Sequence, residues 1–360
     1  MIQAAAVLVA TLLLAQGDRA KSAPDAFERI TPEEAGYSRE RLKLLEEFLA
    51  TSGSQSLLLV HDGKVFFEWG DIRRRLLVHS MRKALLNSLY GVYYGRGAIH
   101  LDKTLSDLDV DDIPPSLSSQ EKTATLRDVL KSRSGVYHPA AAESEGMEQT
   151  RPERGSALPG ARYYYNNWDF NVAGHILEKI AGKGLYDIFD REIAKPLGML
   201  DYRNRIVDRS STENAIPQDA DGFYQHEPER SRYPAWHFRM SAHDLALFGQ
   251  LFLDRGRWKG RQLVPADWID LSTRPYSIVN PQYGLAYGML WNVLVPEASE
   301  RPSFFHTGVG VHMLGVYPKH RLVMVHRVDT ERPSRFNDGD LTRLIRLMHA
   351  ARLPATAERR

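Results

Sequence analysis

The 360-residue chain contains no cysteine. That excludes disulfides, cysteine-ligated zinc, iron–sulfur clusters and a thiol nucleophile. It also lacks a charge excess. Its 47 Lys and Arg face 45 Asp and Glu, a net charge of +2, so nothing in the charge calls for nucleic acid or an anionic membrane as partner. Beyond the first twenty residues no run is apolar enough to span a bilayer. Internal repeats, low-complexity tracts and coiled-coil heptads are missing too. What remains is 43% hydrophobic and 26% charged, the composition of a globular chain with enough length for a large core.

The N-terminus opens with an apolar run from Ile2 to Ala15, broken only by Gln3 and Thr11. It is too short for a spanning helix and has the length of a secretory h-region. Ala15-Gln16-Gly17 offers a small-x-small cleavage site and Ala20-Lys21-Ser22 a second, although no Lys or Arg precedes the run. The expectation is a cleaved export signal and leader over residues 1–25, a periplasmic or secreted protein, and no integral span after cleavage.

Helical periodicity from Ser38 to Leu49 places Leu42, Leu44, Leu45 and Leu49 on one face, with Ser38 as N-cap. The next segment, SLLLVHDGKVFFEWG, reads as a hairpin around Asp62-Gly63. His312 to Asp329 reads as a second hairpin around Pro318-Lys319-His320, and Asp338 to Leu353 as a closing amphipathic helix. Both ends thus supply a helix and a hairpin. The simplest assembly is an α/β (α+β) fold whose antiparallel sheet is built from both termini, residues 26–79 and 271–360. The segment 80–270 reads as a mainly helical insertion, and the active site is expected where the two parts meet.

Three segments carry candidate chemistry. In Ser80-Met81-Arg82-Lys83, helical spacing lets the lysine reach back to the serine. The lysine must be neutral to take a proton, which burial and a neighbouring cation would favour. Tyr163-Tyr164-Tyr165-Asn166-Asn167 supplies a tyrosine that can act in proton transfer beside an asparagine that can orient substrate or lysine. His306-Thr307-Gly308-Val309-Gly310 combines glycines that permit close backbone approach with strand amides that can complete an oxyanion hole. Taken singly, each has an ordinary structural explanation: a capped helix with a surface lysine, an aromatic loop on the core, a glycine-rich strand end. A second S-x-x-K, Ser119 to Lys122, lies in a polar loop where Glu121 would keep the lysine charged.

Order and spacing change this. The Y-x-N follows S-x-x-K by about eighty residues, and H-T-G follows after about 140 more. The set resembles that of the serine β-lactamases and penicillin-binding proteins, in particular the class C β-lactamase-like branch, which also holds D,D-peptidases, esterases and oligomer amidases. Connecting segments share the likeness: Gly95 to Asp102, Leu126 to Gly135, and Phe238 to Gly249. Tyr164 and Tyr165 both fit Y-x-N; the family's following G-x-x-x-E is met by Gly174 and Glu178, which selects Tyr165 and Asn167. The resemblance implies a serine hydrolase of small amides or esters acting through an acyl-enzyme on Ser80. Lys83 and Tyr165 share the serine proton, and Asn167 orients Lys83 and the acyl side. Tyr165, aided by His306, protonates the leaving group. Thr307, Gly308 and Val309 border the substrate, with the Ser80 and Val309 amides as oxyanion hole. Histidine at 306, where β-lactamases carry lysine, points away from a dedicated β-lactamase. No metal or other cofactor is implied. A transacylase using the same acyl-enzyme, or a non-catalytic penicillin-recognising sensor, are the alternatives; oligomeric state is left open.

Other groupings read plainly. His237 and His243 have no metal-like spacing or carboxylate pattern around them, and Asp107, Asp109 and Asp111 lack the glycine and glutamate of a calcium loop. Trp168, Trp236 and Tyr137 are candidate pocket walls, with core packing the first reading of the two tryptophans.

Overall fold

The computed structural model describes residues 27–209, 216–297 and 300–354; the apolar run and its export-signal reading lie outside the described residues. Nine strands form the main sheet, in the order Glu28–Arg29, Lys64–Gly70, Ser56–His61, Leu322–Arg327, His312–Tyr317, Ser303–Gly308, Asn292–Leu294, Leu285–Tyr287 and Ser277–Asn280. Every neighbouring pair is antiparallel except the first, short one. The chain ends therefore meet in one sheet, with Leu58 opposite Val325.

The apolar run Ser56–His61 shows why this sheet is the middle of three layers. Successive side chains point to opposite faces. Leu58 and Val60 join the large core beneath one face, whereas Leu57 and Leu59 join the smaller core beneath the other. Strand Leu322–Arg327 divides its residues in the same way, Val323 and Val325 against Leu322 and Met324. Both strands are covered on both sides, so Leu57-Leu58-Leu59-Val60 and Leu322-Val323-Met324-Val325 are apolar runs instead of alternating.

The smaller core is capped by the two terminal helices, Arg39–Ser52 and Asp338–Ala350, which pack against each other. Ser38 caps the first, accepting from the Arg41 amide, and Asn337 forms a capping box with Asp340 on the second. Leu42, Leu45 and Leu49 face inward, joined by Phe48, but Leu44 is 55% exposed. The expected face was one residue too generous: positions two apart on a helix lie about 200° around the axis. The Asp62-Gly63 hairpin is as expected, with φ of 49° and 76°, and His61 pairs with Lys64.

The other face carries the Ala242–Leu253 helix, packed on the strands Ser56–His61, His312–Tyr317 and Leu322–Arg327. Three strands of the segment read as mainly helical join Leu76–Leu77, which precedes it, in a second sheet ordered Leu76–Leu77, Ala235–Met240, Gly222–Gln225, Ile206–Arg209. Its strands are two to six residues long, and Leu76–Leu77 meets its partner more than 150 residues away, so local periodicity does not announce the sheet. Buried Arg327 ties the two sheets together, donating to the carbonyls of Met240 (3.2 Å), Leu76 (2.9 Å) and Leu77 (2.8 Å). That anchors the chain just before Ser80. No helix among the described residues is long and apolar enough to cross a membrane.

Replacing Leu45, fully buried between the terminal helices and the sheet, by alanine should cost about 2–5 kcal/mol in urea unfolding, and Leu44→Ala no more than about 0.5 kcal/mol. Equal effects would contradict the helix orientation.

Candidate active site

Residues His79–Met81 form a single 3-10 turn that runs directly into the helix Arg82–Gly95. His79 carries a left-handed φ of 46° and its Nε2 lies 2.7 Å from Thr330 Oγ1, a strained link that turns the chain into the helix. One turn on, Lys83 is 1% exposed and its Nζ lies 3.0 Å from Ser80 Oγ. The rings of Phe170 and Tyr165 sit over the amine, their centres 4.4 and 4.6 Å away. Burial, and secondarily the Arg82 guanidinium, pull the Lys83 ammonium far below its ordinary value. Both causes favour the neutral amine.

Tyr165 leads into the Asn167–Ala181 helix, and its hydroxyl hydrogen-bonds the Ser80 side chain. Tyr164 points elsewhere, donating to the Met147 carbonyl at 2.9 Å. Burial raises Tyr165 to about 12 despite the opposing pull of the Ser80 hydrogen bond and Arg82, so the phenol keeps its proton. Asn167, the first residue of that helix, sends Nδ2 to the Ala142 carbonyl at 2.6 Å. Among the described residues no hydrogen bond joins it to Lys83.

The third segment lies on the strand Ser303–Gly308, which packs against the Ser80 turn. Gly308 allows that approach: a Cβ there would fall 2.3 Å from His312 Nε2 and 2.6 Å from the Val78 carbonyl oxygen. Thr307 is half-buried. Val309 is 64% exposed, and among the described residues no backbone hydrogen bond uses its amide. His306 is buried, with Nδ1 3.0 Å from the Thr307 carbonyl oxygen. A carbonyl only accepts, so Nδ1 carries the proton and Nε2, buried and unpartnered, carries the lone pair. Desolvation, then Lys83 and Arg82, hold the imidazole at about 3, against a raising contribution from the Thr307 hydrogen bond. His306 is thus a neutral imidazole whose bare Nε2 can accept a hydrogen bond.

Several residues support these groups. Arg82 is 3% exposed, donates to the Trp236 carbonyl and to Asn171 Oδ1 (3.2 Å), and lies 4.4 Å over the Trp236 ring. Gly174 makes room for that ring, since a Cβ would fall 2.4 Å from Trp236 Nε1. Glu178 accepts from the Tyr224 hydroxyl and the Leu185 amide. The Gly174–Glu178 pattern thus supports the helix behind the site. Trp168, Trp236 and Tyr137 are all buried. Lys122 pairs with Asp111 at 2.7 Å while Glu121 binds Arg154, so the second S-x-x-K holds a charged, structural lysine, paired with a different acid from the one expected. His243 does acquire carboxylate neighbours, because folding brings Asp201 beside His243 and Asp244 within 4.8 Å. Those acids are engaged already: Asp244 Oδ2 accepts from the Asp201 and Tyr202 amides, and Asp201 pairs with Arg73.

This arrangement can be compared with known proteins. The family model described as Beta-lactamase matches residues 43–347. The chain belongs to this family. Among solved structures, the β-lactamase-family fold is shared with a Bacillus anthracis protein assigned as a 6-aminohexanoate-dimer hydrolase, at TM-score 0.65 and 19% identity, covering 91% of this chain and 88% of that one. A class C β-lactamase superposes with TM-score 0.61 at 12% identity, over 89% and 98% of the two chains. A penicillin-binding protein homologue from Pyrococcus abyssi gives 0.61 at 17%, over 87% and 77%. A curated relative, the unguisins hydrolase of Aspergillus campestris, is 31% identical over 101 residues. That alignment covers 25% of this chain and 19% of the relative's length.

The neutral His306 makes a stability prediction for this β-lactamase-family chain. Its folded value, about 3, lies below the unfolded 6.5, so its contribution is complete above pH 6.5 and is lost as pH falls toward 3. His306→Asn should flatten the fall of urea stability over that window by up to about 1.4 kcal/mol per pH unit. An unchanged slope would mean the imidazole is charged in the native state.

Proposed function

We propose that the protein is a serine hydrolase that cleaves a small amide or ester through a covalent acyl-enzyme on Ser80. The observation that carries this reading is the buried Lys83 Nζ 3.0 Å from Ser80 Oγ, inside a fold whose family relatives include a named hydrolase. Lys83 Nζ accepts the hydroxyl proton as Oγ attacks the carbonyl carbon. Negative charge gathering on the carbonyl oxygen faces the Ser80 and Val309 amides. The Tyr165 phenol gives its proton to the departing nitrogen or oxygen and takes one in turn from the Lys83 ammonium, which returns to the amine. Water then takes the leaving group's place, and the same two groups move its proton in reverse.

Specificity follows from what surrounds this machinery. A β-lactam or C-terminal peptide carries a carboxylate that a fixed cation on the third motif would hold. Here that position is a neutral imidazole. This supports acyl groups without a carboxylate beside the scissile bond, as in esters, linear amides or peptide amides.

A fluorophosphonate probe should label the wild-type protein on Ser80, and Ser80→Ala should abolish the label; a retained label would sink the assignment. Lys83→Met should lower kcat/KM on the best substrate by about 10²–10⁴-fold. Across p-nitrophenyl esters, D-amino acid amides and nitrocefin, nitrocefin should rank last.

A further inference from the structure

A basic cavity lies at the end of the main sheet away from Ser80. Strand Ser303–Gly308 meets the Ser80 turn at its last residue, whereas Arg301, just before its first, lines this cavity. The steps from Ser303 to Gly308 put roughly 17 Å between those two ends. The cavity, of about 450 Å³, is walled by Arg255, Arg257, Lys259, Arg301 and Arg321, with Asp254 as the one acid among its described lining residues. Both Asp254 oxygens are already engaged, Oδ1 by Arg321 at 2.8 Å and Oδ2 by Gln250 at 2.6 Å. Arg321 also binds Asp62, and Arg255 binds Asp270. Among the described residues no acid forms an ion pair with Arg257, Lys259 or Arg301. Arg301 donates to the Leu253 carbonyl at 3.3 Å, and Lys259 lies 5.7 Å over the Trp258 ring. The near balance of charge along the whole chain conceals this local excess.

The backbone beneath these cations is unusual. Trp258 turns inward, which leaves Arg257 and Lys259 exposed on either side of it. Lys259-Gly260 is the two-residue turn between strands Arg257–Trp258 and Arg261–Gln262, with φ of 45° and 81°. Arg255-Gly256 repeats the left-handed pair at 52° and 78°, and Arg321 sits at 49°. Asparagine or glycine fits such backbone at lower steric cost, so Arg255, Lys259 and Arg321 stand where backbone geometry alone would favour other residues. The framework is also pinned. Gly256 approaches Val264 so closely that a Cβ would fall 1.9 Å from its carbonyl oxygen. Gln262 Nε2 bridges the Arg255 and Val264 carbonyls at 2.7 and 2.6 Å. Anchoring the backbone lowers the ordering cost when an anion arrives.

We propose that this cavity binds a compact, multiply charged oxyanion of the phosphate-monoester or pyrophosphate class. Four of its five cations are arginines, whose planar guanidinium meets two phosphate oxygens at once. Arg257, Lys259 and Arg301 supply the charge that Asp254, Asp62 and Asp270 leave unneutralised. The concave wall suits a small soluble ligand better than a flat lipid surface.

Calorimetric titration of the full chain with sodium pyrophosphate at low ionic strength should show one site. Arg257→Gln combined with Arg301→Gln should weaken it by about tenfold or more. Lys43→Gln combined with Lys183→Gln removes the same charge from exposed positions outside the cavity and should leave Kd within about twofold, the size of a screened long-range effect. Lys259→Asn suits the left-handed turn better than lysine. It should weaken binding several-fold while Tm holds or rises, which a purely structural lysine would not do. Should the double arginine variant fail to fold, Lys259→Asn decides. The proposal is overturned by the absence of a pyrophosphate site, by an unchanged Kd in the cavity variants, or by equal weakening in the Lys43 and Lys183 control. Attachment to phosphatidylglycerol vesicles without a pyrophosphate site overturns it too, and would make this face a membrane contact instead.

Discussion

The site depends on one constraint: a lysine side chain is held out of water. In solvent, Lys83 would be a cation with no lone pair to offer, and Ser80 would be an ordinary alcohol. Two aromatic rings over Nζ and the helix around it exclude water from the amine, so the neutral form is favoured. The same dryness acts on its neighbours in the direction their chemistry dictates. Tyr165, an acid, is kept protonated, and His306, a base, is kept neutral. A single physical cause thus leaves one group able to accept a proton and another able to donate one, both against the same serine oxygen.

Holding that pocket closed is the work of the layered fold. Ser80 follows a two-residue strand of the small sheet, and Arg327 from the main sheet fastens that strand through backbone carbonyls. The strand bearing His306 can lie against the Ser80 turn because Gly308 has no side chain to obstruct Val78. Behind the helix, Gly174, Trp236 and Arg82 form a stack in which each member needs the next. Shifting any layer would admit water to Lys83, and with water the ammonium would return.

Much of this was legible in the chain. The three-residue step from Ser80 to Lys83 is a helical spacing, and the Asp62-Gly63 turn announces its hairpin. The fall of Gly174 and Glu178 after Tyr165 separates it from Tyr164, whose hydroxyl turns to Met147. Other features were not legible, for reasons that can be named. Leu44 was placed on the buried face because a leucine-rich stretch overstates its own face. The small sheet leaves little local signal because its strands are short and Leu76–Leu77 lies far along the chain from the strand it pairs with. Asn167 was assigned toward Lys83, but its amide is satisfied by Ala142, a loop carbonyl whose position no local pattern predicts.

The chain by itself determined the inventory. It specified which residues can carry charge, accept a proton or let two strands approach, and local periodicity settled their helices and hairpins, because those depend on neighbours a few residues away. Only the tertiary structure decided their protonation. Whether Lys83 is an amine or an ammonium, or His306 a base with a bare Nε2 or a cation, depends on how much water reaches each group and which charges lie beside it. Those are set by segments far apart in the chain, brought together in one interior.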